Sequence, residues 1–150
     1  MTLLRFALLV ISGFTACAEF GSYAFVHPVI RRLPPTYHIQ VEQGLLRTFG
    51  RTMPLLMTAT TTLSLIYAFG GAGLATTEST FRWLAAGANT AALIATLIFN
   101  VPINLATGKW DANHPPDDWK ATRNRWELFQ GLRSWLYLTG FVLLCVAVTQ

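Results

Sequence analysis

The sequence is poor in charge and cysteine, and it contains no internal repeat and no low-complexity segment. Its 150 residues include only 11 basic and 7 acidic side chains, or 12%, against the quarter that is usual in soluble domains. This charge is too small to cover a water-soluble fold, which argues against a soluble enzyme and against a disordered chain. Cys17 and Cys145 lie in apolar runs, and without a Cys-x-x-Cys pair they indicate neither a disulfide scaffold nor a thiol oxidoreductase.

Hydrophobic residues are abundant and make up 53% of the chain. The net charge of +4 does not indicate a nucleic-acid partner, because the basic residues form no stripe and are not interleaved with stacking aromatic residues. The class that remains is an integral membrane protein, whose main partner is the lipid bilayer.

Four apolar segments are each close to the ~20 residues that a helix needs to cross the hydrocarbon layer. They cover about residues 3–26, 53–74, 83–105 and 126–148. Because the backbone in lipid must satisfy its own hydrogen bonds, helices are expected for all four. We therefore predict an all-α fold, a single transmembrane domain over 1–150 that forms a four-helix bundle with two long polar loops on one side. Residues 37–51, in the first of these loops, are predicted to form a short interfacial helix.

The basic residues favour one side of the predicted bundle. Eight lie in the two long loops and two near the opposite ends of the helices, while Arg133 lies within the fourth helix. The positive-inside rule then predicts an integral protein of a bacterial plasma membrane, with the long loops in the cytoplasm and both termini outside. A functional site rich in basic residues would produce the same asymmetry. The first segment resembles a signal peptide, but its apolar pattern continues to Val26, which favours a retained helix.

Polar side chains inside the predicted spans are expensive in lipid, and here they recur at helical spacing. The first helix presents Glu19, Tyr23 and His27 at intervals of four, and the third presents Asn100 and Asn104 in the same way. At 1.5 Å per residue these groups reach similar depths, which predicts a polar pocket just below the two long loops. The fourth helix adds a seam at steps of three and four, formed by Arg123, Trp126, Gln130 and Arg133.

Glu19 and Arg133 form the sharpest predicted contact, because the first and last helices of a closed four-helix ring are neighbours. Opposite charges lower each other's cost of burial. Two interpretations stay open at this point. The pair is either an ion pair that fixes the helix register or a substrate-binding arginine beside an acid or base.

Three pieces of sequence form a pattern in the second half of the chain: Val101 to Trp110, Pro115 to Trp119, and the set Arg123, Arg125, Trp126 and Arg133. This pattern resembles the anthrone oxygenase-like family of integral membrane proteins. The resemblance implies a four-helix membrane protein, and some fungal members of that family oxidise anthrones to anthraquinones with molecular oxygen and no obvious cofactor. The positions that the family pattern selects in this chain are Asn104, Trp119, Arg123, Trp126 and Arg133.

One position departs from the family pattern, which usually has a histidine where this chain has Gln130. A histidine could take a proton from a phenolic substrate, whereas a glutamine cannot act as a general base. If the chemistry requires a base, the resemblance implies that Glu19 or His27 supplies it in this chain.

Together with the predicted polar pocket, the resemblance implies a membrane-embedded oxidoreductase, a cofactor-independent monooxygenase acting on a small apolar aromatic or polyphenolic ligand. The alternative is a non-enzymatic membrane binding or accessory protein, in which the polar layer is structural and Gly87 with its neighbouring alanines serves a homo-oligomer contact. Transport is a weaker third reading, because no repeat is visible. No cofactor and no metal site is assigned. The predicted catalytic residues are Glu19, His27 and Arg133, and the predicted substrate-binding residues are Tyr23, Asn100, Asn104, Trp119, Arg123, Trp126 and Gln130.

Overall fold

The computed structural model describes residues 2–71 and 76–150, which form four long helices and no strand. Each helix is long and apolar enough to cross a membrane. The predicted all-α, four-helix membrane bundle is therefore confirmed for this part of the chain. The helices are α1 (Leu3–Ile30), α2 (Pro35–Phe69), α3 (Thr77–Thr107) and α4 (Trp119–Thr149).

The helices form a closed ring in which each packs chiefly against its neighbours along the chain, and α1 packs against α4. The α3–α4 interface is the most extensive, and Gly140 contributes to it because a side chain there would collide with Asn89. The connections over 31–34 and 108–118 leave the bundle at the same end, which we call the loop end. The opposite end, where the chain begins and finishes, is the terminal end.

The second helix begins at Pro35, well before the predicted start near residue 53. A proline suits the first turn of a helix, because its ring presets φ and its missing N–H had no helical partner to lose. The predicted interfacial helix over 37–51 is consequently not separate: it is the loop-end half of α2. The predicted start near residue 53 is the point where apolar residues become frequent, and the first turns of α2 contain few of them.

The other helix ends also extend beyond the apolar segments, because the terminal turns are polar. The first helix continues to Ile30, the third begins at Thr77 and the fourth begins at Trp119. The second ends at Phe69, and its predicted end at Leu74 lies outside the described residues.

Two π-helical turns, Ser22–Val26 in α1 and Thr96–Asn100 in α3, each precede a proline that stands two residues further on. A proline has no N–H to donate, so the α-helical ladder cannot continue unchanged through it. The N–H groups of His27 and Val101 instead bond the carbonyls five residues earlier, at Ser22 and Thr96. Each π turn therefore changes the helical register of the side chains that lie between it and the loop end.

An apolar core occupies the terminal end and the middle of the bundle. At the terminal end, Leu8, Tyr67 and Leu144 are buried with small alanines of α3 and α4. Nearer the middle, Met53, Met57 and Tyr137 pack together. Many large apolar side chains on the outer surface are exposed, as expected of helices that face lipid. Polar side chains are thus left to gather at the loop end.

Candidate functional site

Glu19 is fully buried at the interface of α1 and α4. Its Oε2 atom accepts hydrogen bonds from Arg133 Nε at 2.8 Å and from Gln130 Nε2 at 3.1 Å. The backbone is held at the same place, because Ser134 Oγ donates to the carbonyl of Glu19 at 3.2 Å. The predicted Glu19–Arg133 contact is present, and charge-assisted bonds of this kind offset part of the cost of burying both groups.

A second buried carboxylate, Glu42 on α2, lies near three groups that carry or can carry positive charge. Arg123 Nη2 is 2.6 Å from Glu42 Oε1, His27 Nδ1 is 3.5 Å away and His38 Nε2 is 3.8 Å away. All four side chains are almost completely buried. The arrangement brings acid–base groups of α1, α2 and α4 to one point.

The two carboxylates lie at different depths. Glu19 stands 16 residues from Leu3, or about 24 Å from the terminal end, and Arg133 stands 16 residues from Thr149, at the same level. Glu42 stands 27 residues from Phe69, or about 40 Å along α2. For a hydrocarbon layer of about 30 Å, the Glu19 layer is inside the hydrocarbon and the Glu42 layer lies beyond it, in the polar head-group region at the loop end.

A cavity of about 540 Å³ lies next to both layers. This volume falls within the range of small-molecule sites, about 300–1,000 Å³. Its wall is mostly apolar, with Leu45, Phe49, Met53 and Met57 from α2 and Val101 from α3. Its polar side chains include His27, Glu42, Asn104, Gln130 and Arg133, and the indole of Trp126 adjoins them.

Several polar atoms of the cavity wall are buried and have no hydrogen-bond partner within the part of the chain that the structure describes. They are Asn104 Oδ1, Trp126 Nε1 and Gln130 Oε1, beside the Glu42 carboxylate, whose Oε1 pairs with Arg123 Nη2 at 2.6 Å. Buried polar groups in native proteins are nearly always paired, so a set of unpaired ones around one cavity indicates a site built for a ligand. The set offers one N–H donor and several acceptors, which suits a ligand with hydroxyl groups.

Trp126 connects the cavity with the Glu42 cluster. Its ring centroid lies 4.8 Å from that of His27 and 4.2 Å from the guanidinium carbon of Arg123. A cation over the face of an indole is attracted by the ring quadrupole, so Trp126 helps to keep Arg123 in place beside Glu42. Asn100 donates to the carbonyl of Trp126 at 3.0 Å and thereby ties α3 to this part of α4.

The structure brings together most of the residues that the sequence singles out, but only some of them line the cavity. Glu19 and Arg123 lie behind the cavity wall, bonded to residues that line it. Trp119 packs edge-on against His38, with ring centroids 5.3 Å apart. The predicted site residues that line the cavity are His27, Asn104, Trp126, Gln130 and Arg133.

Tyr23 departs from the prediction, which put it on one face with Glu19 and His27. The π turn Ser22–Val26 inserts an extra residue between them and changes the register. The Tyr23 ring instead packs against Gly131, where an added Cβ would lie 2.8 Å from the ring, and lines a groove on the outer surface.

Two residues of the site are absent from the set that the sequence predicts: Glu42 and His38. Both lie on the inner face of α2, one turn apart. The signal that could have found them is their spacing of four within a segment rich in helix formers, which places a histidine and a carboxylate on one face.

The described residues contain no group of three or more histidine, cysteine, aspartate or glutamate side chains arranged to hold a metal ion. Beside Glu42 the positive charge comes from the Arg123 guanidinium.

Fold and site together define an integral membrane four-helix bundle with a polar, acid–base-rich cavity at the loop end of the helices. The family model described as anthrone oxygenase matches residues 45–143, about two thirds of the chain. The chain therefore belongs to the anthrone oxygenase family. No curated protein and no solved structure matches it. The matched range includes Asn104, Trp126 and Arg133 and begins after Glu42.

Proposed function

We propose that this protein is a membrane oxygenase that converts an anthrone-type methylene, held beside an aromatic carbonyl, into a ketone with molecular oxygen. The observation that carries the proposal is the cavity of about 540 Å³, which combines an apolar wall with unpaired buried polar atoms in a member of the anthrone oxygenase family. A flat phenolic ketone matches both features, since its rings suit the apolar wall and its oxygens suit the polar atoms.

His27 is the base in this mechanism. It lines the cavity, and its Nδ1 faces Glu42 Oε1 at 3.5 Å. A carboxylate beside Nδ1 favours the tautomer with the proton on Nδ1 and leaves the electron pair on Nε2. Nε2 then removes a proton from the substrate methylene, and Glu42 stabilises the imidazolium that forms. Gln130, at the position where the family usually has histidine, cannot perform this step.

The Arg133 guanidinium lines the cavity, and its role is to hold the negative charge that deprotonation places on the substrate oxygen. Glu19 is a positioning residue, because it fixes Arg133 through Nε and Gln130 through Nε2. The remaining guanidinium N–H groups of Arg133 are then available to the substrate.

The atoms and electrons balance with dioxygen as the only oxidant. The deprotonated carbon passes electrons to O₂ and forms a carbon–oxygen bond, giving a hydroperoxide after it takes up a proton. Loss of water from that hydroperoxide leaves the ketone. The substrate CH₂ becomes C=O, one oxygen atom enters the product, and the other leaves as water with the two hydrogens.

The test is oxygen consumption by the purified protein in phosphatidylcholine nanodiscs, with an anthrone series as substrates and the anthraquinone measured as product. We expect one O₂ consumed per ketone formed. His27→Asn is expected to lower kcat by about 10²–10⁴-fold, the usual contribution of a general base. The matched control is His114→Asn, because His114 is an exposed loop histidine that does not line the cavity.

Equal turnover by the wild type and His27→Asn would overturn the assignment of the base. No turnover of any anthrone, together with saturable binding of the ketone product, would favour the second candidate function. That candidate is a non-enzymatic binding protein for the same class of aromatic ligand, and the specific observation in its favour is that Gln130 replaces the histidine of the family pattern.

The orientation belongs to the same proposal: the loop end faces the cytoplasm of a bacterial cell. The support is the concentration of basic residues at the loop end. Labelling with a membrane-impermeant maleimide tests it in intact cells. A cysteine introduced at Lys109, which is exposed in the connection over 108–118, should label only after the cells are opened, while one at Thr2 should label beforehand.

A further inference from the structure

The exposed residues of the cavity wall lie between α2 and α3, at and below the loop end. Of the residues that line it, four are also exposed on the outer surface: Gly50, Pro54, Leu105 and Gly108. The first two belong to α2 and the last two stand at the end of α3, so the mouth of the cavity is the seam between these helices. On the α1 and α4 sides, the residues that close the cavity are buried or half-buried.

The mouth lies at membrane depth. Pro54 is 15 residues from Phe69 and Gly50 is 19, which corresponds to about 23 and 29 Å along α2. For a hydrocarbon layer of about 30 Å, the α2 side of the mouth lies in the loop-end leaflet and reaches its polar boundary. The α3 side stands nearer the loop end, because Leu105 is 28 residues, or about 42 Å, from Thr77. Leu55 beside Pro54 is 73% exposed and Leu105 is 64% exposed, so the rim presents apolar surface to lipid.

A polar group is available at this rim. Pro54 has no N–H, and the carbonyl four residues before it, at Gly50, therefore lacks the usual helical donor. In lipid a carbonyl without a donor is costly. A hydroxyl group at the mouth can donate to it, which favours phenolic ligands at the rim over pure hydrocarbons.

We infer that the ligand reaches the site laterally from the loop-end leaflet through this mouth, and that it is a membrane-partitioned phenolic ketone whose apolar substituent stays in the seam between α2 and α3. The inference rests on the proposed function for the chemistry of the ring. The lateral route and the apolar substituent are inferred from the apolar rim at membrane depth.

The mouth can be narrowed without disturbing the bundle. A Cβ added at Gly50 would lie 3.5 Å from Leu46 Cδ2, an ordinary contact, so a larger side chain can be accommodated at the rim. Gly50→Phe is the test variant and Gly50→Ala is its conservative counterpart. Gly44→Phe is the matched control, because Gly44 is exposed on the same helix, has open space around it and does not line the cavity.

The experiment measures the association rate of an alkyl-substituted hydroxyanthraquinone with the protein in phosphatidylcholine nanodiscs, by quenching of tryptophan fluorescence. In the wild type the rate should follow the mole fraction of ligand in the bilayer at constant total concentration. Gly50→Phe should slow association by about tenfold or more, while Gly50→Ala and Gly44→Phe stay within about twofold of the wild type.

A rate that follows the aqueous concentration of ligand, or that is equal in Gly50→Phe and Gly44→Phe, would overturn the lateral route. Turnover of anthrones by the same preparations separates this outcome from a failure of the proposed function. A protein that oxidises anthrones but is indifferent to Gly50→Phe keeps the function and loses the route. A protein that binds through the mouth without any turnover keeps the route and loses the oxygenase function.

Discussion

Two buried carboxylates, Glu19 and Glu42, stand about 15 Å apart in depth and differ in how they are satisfied. Glu19 accepts two hydrogen bonds through Oε2 and lies behind the cavity wall, where its Oε1 is buried without a partner among the described residues. Glu42 lines the cavity, and its Oε1 atom pairs with Arg123 at 2.6 Å and has two histidines within 3.8 Å. The deeper layer is closed, whereas the shallower layer is open to a ligand.

This difference separates the two interpretations that the sequence leaves open for buried charge. A closed pair inside the hydrocarbon holds helices together, because a lone charge there is costly. The Glu42 cluster instead places charged side chains beside a cavity, where a ligand can reach them. Gln130 lies between the layers: its Nε2 donates to Glu19, and its Oε1 is unpaired beside the cavity.

A third ionic cluster at the terminal end resembles the closed layer. Glu78 Oε1 accepts from Arg5 at 3.0 Å and from Tyr67 at 2.9 Å, and it also pairs with Arg82. Arg82 Nη1 in turn donates to the carbonyl of Tyr67 at 3.1 Å. The carboxylates of both clusters thus accept two or more side-chain hydrogen bonds and do not line the cavity, whereas Glu42 does.

The largest effect on stability is expected from breaking the closed layer. Glu19→Leu leaves the Arg133 guanidinium buried without its carboxylate, which should lower the free energy of unfolding by about 3–5 kcal/mol. The double variant Glu19→Leu/Arg133→Met removes both charges and should recover most of that loss. Unfolding by dodecyl sulfate in mixed micelles measures both. A single variant within about 0.5 kcal/mol of the wild type would contradict the structural role of this layer.

In the open layer, a substitution should reduce turnover more than it reduces stability. Glu42→Gln keeps the shape of the side chain but removes the charge that faces His27 and Arg123, at an expected cost of about 1–3 kcal/mol in stability. Turnover of an anthrone should fall by about 10²-fold, because the imidazolium of His27 loses its carboxylate. Equal losses of activity in Glu42→Gln and in a variant of matched stability at the terminal end, Glu78→Gln, would remove the distinction between the layers.

Gln130→His tests the residue that bonds Glu19 in the closed layer and also lines the cavity. An imidazole N–H can replace the amide in the bond to Glu19, so the free energy of unfolding should stay within about 1 kcal/mol of the wild type. The second ring nitrogen then adds a base beside the cavity, and turnover should rise by about tenfold. Unchanged turnover in a stable variant would assign Gln130 to the closed layer alone.

The smallest effect is expected outside the membrane, in the connection over 108–118. The pKa of Asp111 is lowered, first by the backbone N–H of Asn113 and then by the His114 side chain. Since the folded pKa lies below its ordinary value of 3.8, the stabilisation is present at neutral pH and is lost as the pH falls through the lowered pKa.

Asp111→Asn should therefore reduce the melting temperature slightly at pH 7 and not at pH 2, as followed by circular dichroism in detergent. A difference of the same size at both pH values would show that the charge of Asp111 is not responsible.

Sequence reasoning reached the bundle because long apolar runs, poor in charge, have few alternatives to membrane helices. It also reached the Glu19–Arg133 pair, since two opposite charges at one depth in neighbouring helices must find each other. It missed Glu42 and His38, because their segment is polar enough to predict only a short interfacial helix outside the bundle, and only its packing against α1 and α4 reveals an inner face. It misplaced Tyr23, because regular helical spacing does not anticipate a π turn.

By itself the sequence determined that this chain lies in a membrane as four helices and that its few buried charges must be paired, because both follow from the cost of polar groups in hydrocarbon. The tertiary structure alone decided which carboxylate is closed and which faces a cavity. That outcome depends on the two π turns and on how far α2 extends beyond the apolar layer, and both arise where prolines alter the backbone hydrogen bonding of helices already packed against one another.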